Sequence, residues 1–134
     1  MRVAFFFLAD AAQASPDGKI SVLGAGIEGI GSPSFPLVHP YLAVVLKLWS
    51  EEPEPQKEWV LTVALSAKDG TPEKFRYQQV VQPTSINPAF RPSATLILNV
   101  TPLQLDLPGD YFFDLSVDGN VVDTIKLTAK LTKR

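Results

Sequence analysis

The chain has 134 residues, 46% of them hydrophobic, a formal net charge of −2 and no cysteine. That length suits one domain whose core needs no disulfide or metal staple, and the missing thiols exclude Cys-ligated zinc, iron–sulfur clusters and thiol nucleophiles. No basic face is evident, which argues against nucleic acid as a partner, and no run approaches the ~18 apolar residues of a membrane-spanning helix.

Arg2 to Asp10 reads as a strand, apolar on both faces and so expected at the centre of a sheet. Met1-Arg2, the run Val3 to Ala9 and Ala12-Gln13-Ala14 imitate a signal peptide. Asp10 cuts that run short, so the strand reading is preferred and a cytoplasmic location is expected. Ser15-Pro16-Asp17-Gly18 is a turn, in which Pro presets φ and Gly tolerates positive φ. Lys19 to Ile30 is expected as the second strand, and Pro33, Pro36 and Pro40 mark a long irregular connection. Tyr41 to Trp49 is the third strand, with Leu42, Val44, Leu46 and Leu48 on one face.

Residues 50–58 read as a solvated loop. Trp59, Leu61, Val63 and Leu65 line one face of a half-buried strand, and Asp69-Gly70 closes a turn after it. Lys74 to Val81 is the most polar strand, expected at a sheet edge where Lys and Arg discourage intermolecular pairing. Residues 83–92 form a proline-bounded loop. The remaining inward sets are Ala94, Leu96, Leu98 and Val100, then Tyr111, Phe113, Leu115 and Val117, then Ile125, Leu127, Ala129 and Leu131. Asp118-Gly119-Asn120 makes the last hairpin.

This spacing of roughly eight strands and turns predicts an all-β fold. The preferred solution is a single domain, a two-sheet antiparallel β-sandwich. Leu107 to Tyr111 looks like the tyrosine corner of immunoglobulin-like domains, in which a Tyr hydroxyl returns to backbone just upstream.

Gly24, Gly26 and Gly29 fit the dinucleotide pattern G-x-G-x-x-G. The chemistry also needs a helix N-terminus facing the pyrophosphate. Here Gly31-Ser32-Pro33-Ser34-Phe35-Pro36 follows, which cannot continue such a helix. The glycines are therefore expected to mark a bulge or a close backbone approach, and no cofactor is expected. His39 is the one histidine, so a multi-His metal site is impossible. No G-x-S-x-G elbow exists, and Asp114, Asp118 and Asp123 fit turn chemistry and solvation. No catalytic or metal-binding residue is assigned. The alternative is a small-ligand protein or hydrolase with a site near His39.

Most aromatic residues fall on inward positions. Phe35, Trp49, Phe90 and Phe112 do not, and Arg91 follows Phe90. Aromatic and Arg side chains are favoured at binding hot spots. Trp49, Phe90, Arg91 and Phe112 are thus the candidate partner contacts of a non-catalytic binding or assembly module, which acts on a protein partner or on a second copy of itself through loops or edge strands.

Three blocks, Phe7 to Gln13, Gly18 to Gly26 and Gly109 to Gly119, carry a FLADxAQ segment, a GKxxVLGxG strand and a GxY…VDG hairpin. In these the chain resembles a family of small bacterial proteins that lack an assigned function. The resemblance implies a single domain, a bacterial source, and residues 1–14 as part of the fold. It supplies no catalytic residue.

Overall fold

The computed structural model describes residues 1–51, 58–68, 73–85 and 90–132. Among them the chain is all β, arranged in several sheets, one of them curled into a half-barrel. A three-stranded sheet holds β1 (Arg2–Ala9), β6 (Leu42–Trp49) and β9 (Ser93–Val100) in the order β1-β6-β9. A five-stranded sheet holds β4 (Gly29–Ser32), β12 (Asn120–Leu131), β11 (Gly109–Val117), β7 (Trp59–Ala67) and β8 (Phe75–Val81), in that order. Two small ribbons pair β2 (Ala11–Ala14) with β3 (Ile20–Leu23), and β5 (Leu37–His39) with β10 (Leu103–Leu105).

Strand alternation explains the core. Leu42, Val44, Leu46 and Leu48 of β6 meet Trp59, Leu61, Val63 and Leu65 of β7 in one cluster. Tyr111, Phe113, Leu115 and Val117 of β11 join it, with Leu127 and Ala129 of β12. Both larger sheets therefore feed the same core. Each fully buried Leu or Phe contributes about 1.5–3 kcal/mol relative to exposure.

Several elements depart from the periodicity. β1 lies at an edge of its sheet, not the centre. Its second apolar face has another cause: Phe5 and Phe7 share a concavity with Ile20 and Val22 of β3. The expected second strand divides at the glycines. β3 pairs with β2, whereas β4 joins β12, and does so in parallel. The sheets are thus not wholly antiparallel. The proline-rich connection contains β5, which pairs with β10; at three residues each, both are too short for alternation to register. Leu131 is 62% exposed rather than inward. It pairs with Ser32 beyond Ala129, the last β12 residue with a β11 partner, so no inner neighbour covers it.

The glycine segment runs from β3 into β4 without starting a helix. Gly24 and Gly26 have φ of +66° and +87°. The Asp10 carboxylate lies where a Cβ on Gly24 would project. Gly26 N–H donates to the Leu8 carbonyl at 2.8 Å, which closes part of the free edge of β1. Close approach of Asp10 accounts for Gly24, and positive φ favours glycine at both positions.

Other turns follow their residues. Gly18 has φ of +86°, and its N–H donates to the Ser15 carbonyl at 3.0 Å. The Ser15 hydroxyl donates to the Asp17 carboxylate and holds its pKa below the ordinary value. Asp118 and Gly119, at φ of +51° and +86°, form the two-residue loop of the last hairpin, with Val117 opposite Asn120. β8 occupies a sheet edge, as its polarity predicts. The Asp69-Gly70 turn lies outside the described residues, as do residues 52–57 and 86–89 of the two expected loops.

Tyr111 is 3% exposed, and its hydroxyl donates to the Leu107 carbonyl at 2.7 Å. This ties the entry of β11 to the segment after β10. Tyr111→Phe removes the bond and keeps the ring. It is expected to cost about 1 kcal/mol, measured as a lower denaturant midpoint with an unchanged m-value.

Candidate functional site

β6 turns alternate side chains away from the core. Register sets them in cross-strand rows. Arg2, Trp49 and Ser93 stand abreast, and Phe5, Lys47 and Thr95 form the next row. Phe7, Val45 and Ile97 follow, then Ala9, Ala43 and Asn99. Ala9, Ala43 and Val45 are fully buried although they face away from the core. The β2–β3 ribbon covers that half, with β2 packed against β6 and β9. The half carrying Trp49 and Lys47 is left open.

A groove of about 600 Å³ occupies the open half. Trp49 and Phe90 supply its aromatic surface, and Arg2, Lys47 and Arg91 its charge. Thr84 and Ser93 complete the lining. The Arg91 guanidinium carbon lies 5.9 Å from the Trp49 ring centroid, a cation–π contact worth about 0.5–1 kcal/mol at an exposed site. Phe90 is 65% exposed.

The rim is fixed by hydrogen bonds. Thr84 and Ser93 exchange N–H to carbonyl bonds of 2.9 and 2.8 Å. Ser50 N–H donates to the Pro92 carbonyl at 2.9 Å, and the Ser85 hydroxyl donates to the Phe90 carbonyl at 2.7 Å. Phe90 and Arg91 are thereby held beside Trp49. Among the described residues, Arg2, Lys47 and Arg91 form no ion pair with a carboxylate.

Three of the four candidate contacts thus converge. Phe112 does not join them. It is half-buried on β11, between Ser66 and Lys126 in the five-stranded sheet. His39 sits on β5 opposite Leu103 and has no part in the groove. Among the described residues, no three His, Asp or Glu side chains are grouped to hold a metal ion. Arg2 and Lys47 escaped sequence reasoning. Lys47 had a signal, as a cation two residues before Trp49 on a strand otherwise apolar between Leu42 and Trp49. Arg2 needed the register.

A second concavity, of about 690 Å³, lies at the entry of β11, lined by Lys74, Asp106, Leu107, Asp110 and Tyr111 among others. It is larger, but its carboxylates are occupied. Lys74 pairs with Asp106 at 3.2 Å. Asp110 accepts the Thr128 hydroxyl at 2.9 Å and faces the Lys126 ammonium at 3.6 Å. The Thr128 hydrogen bond is the main cause that lowers the Asp110 pKa, and the Lys126 charge adds to it. These contacts tie the start of β11 to β12, a structural role.

The fold and groove describe an all-β protein with a cationic aromatic site on the outer face of one sheet. The chain belongs to a family of unknown function, DUF6941, whose model matches residues 4–130. No curated protein matches it.

The Asp110 contacts set a pH dependence. A lowered folded pKa contributes stability that is present above the unfolded pKa and lost as pH falls through the folded one. Thr128→Val is expected to move the Asp110 midpoint up toward the ordinary carboxylate value, followed by carboxyl-carbon NMR titration. The stability gap between wild type and variant should narrow as the solution is acidified through that range.

Proposed function

We propose that this chain is a non-catalytic binding module that holds a protein partner in the groove lined by Trp49, Phe90 and Arg91. In this reading it is a single domain, a two-layer immunoglobulin-like β-sandwich. The shared core of the two larger sheets and the Tyr111 hydroxyl bond to Leu107 support that architecture. Convergence of Trp49, Phe90 and Arg91 in one groove with two further cations carries the functional reading. Trp and Arg are enriched at hot spots because each combines a large contact area with a directional polar group. The pinned rim lowers the ordering cost of association. Phe112, on the other sheet, is not part of this surface.

The test is co-purification from the native host with tagged protein. Wild type and Val80→Thr, a change at an exposed β8 position, should retain a partner that the Phe90→Ala, Arg91→Ala double variant loses. An identical set of proteins on all three would contradict the proposal. Light scattering at several concentrations separates a foreign partner from self-association. A dimer that the double variant dissolves would make the partner a second copy of the chain.

A further inference from the structure

We infer that the segment bound in this groove is acidic and carries an apolar side chain beside its carboxylates. This rests on the reading of the groove as a protein-binding site.

The first observation is a charge imbalance. The chain as a whole is net negative, yet Arg2, Lys47 and Arg91 line one groove without a carboxylate among its described lining residues. Like charges gathered this way raise the local potential, and an incoming anion relieves it. The Arg91 guanidinium carbon lies over the Trp49 ring at 5.9 Å, and among the described residues Arg91 forms no ion pair, so its planar donors are open to a carboxylate.

The second observation is what adjoins the cations. Lys47 also lines a smaller concavity of about 350 Å³. Its other walls include Phe5 and Phe7 from β1 and Ile20 and Val22 from β3. The Phe5 and Phe7 ring centroids are 5.6 Å apart on the same strand face. A cationic groove and an apolar slot thus meet at one side chain. A peptide with Asp or Glu at one position and an aliphatic or aromatic residue nearby satisfies both. A nucleic acid fits less well, because a polyanion needs a longer basic track and the rest of this net-negative chain opposes it.

The experiment selects a random dodecapeptide phage library on the immobilised full chain. Enriched peptides should pair Asp or Glu with Leu, Ile or Phe. By titration calorimetry the best of them should bind at least about tenfold more weakly to Arg91→Glu and Lys47→Glu, a loss typical of a desolvated charge contact. Lys47→Gln serves if the reversed charge impairs folding, as checked by thermal unfolding. Binding should weaken as salt rises, and Phe5→Ala should erase the preference for the apolar residue. Enriched basic or neutral peptides that still need Phe90 and Arg91 would overturn the acidic assignment and leave the groove as a protein site. Peptides indifferent to every groove variant would overturn both. Absence of enrichment, or tighter binding of a single-stranded oligonucleotide, would overturn the acidic assignment, with the groove itself then judged by the co-purification result.

Discussion

The structure depends on a strand, β6, that is covered on both faces for most of its length and paired along both edges. Leu42 to Leu46 are buried without a break, and Leu48 follows. β1 and β9 take its backbone hydrogen bonds on either side. Such a strand cannot slip by one residue without driving Lys47 into the core and Leu46 or Leu48 out of it. Its register therefore fixes which side chains of β1 and β9 stand beside Trp49. Arg2 and Ser93 reach the groove because Leu46 and Leu48 reach the core.

The groove begins where cover ends. The β2–β3 ribbon seals Ala9, Ala43 and Val45 on the outer face of the sheet, and small or aliphatic residues suit that contact. One residue pair further along, Lys47 and Trp49 replace them. A Lys can keep its ammonium in water while its stem lies on apolar surface, so it suits the boundary between a roofed half and an open one. In water the cations repel only weakly at physiological salt, where screening acts over roughly 8 Å. Their influence grows once a partner excludes solvent, because the effective dielectric then falls. On the proposed reading, the same three charges that cost the free protein little select what docks on it.

Much of the fold is legible in the sequence wherever one face of a strand is buried and the other is not. β11 alternates cleanly, β7 does so except at buried Thr62, and the Tyr111 hydroxyl returns to the Leu107 backbone just upstream. β8 declares its edge position through Arg76, Gln78 and Gln79, with Lys74 just before it. Alternation says less about which strands are neighbours. The two apolar faces of Arg2 to Ala9 report burial, which a covering ribbon supplies as well as a central position does. Gly24 and Gly26 interrupt a continuous apolar pattern without altering it, so the division into β3 and β4 is hidden, as is the parallel pairing of β4. Three-residue strands such as β5 and β10 carry no period. The site is legible to the same degree. Trp49, Phe90 and Arg91 stand out as large side chains with no place in the inward sets. Phe112 stands out for the same reason, yet the five-stranded sheet separates it from them. Arg2 is an unremarkable cation until cross-strand pairing sets it beside Trp49.

The division of one sheet face into a roofed half and an open half is most directly measured by solvent paramagnetic relaxation. A soluble gadolinium chelate should strongly attenuate NMR signals from the Trp49 indole and the Lys47 side chain, and spare the methyl groups of Ala9, Ala43 and Val45 in the next two rows. Equal attenuation along the whole face, or protection of Trp49 together with exposure of Val45, would contradict the placement of the ribbon and with it the existence of the groove.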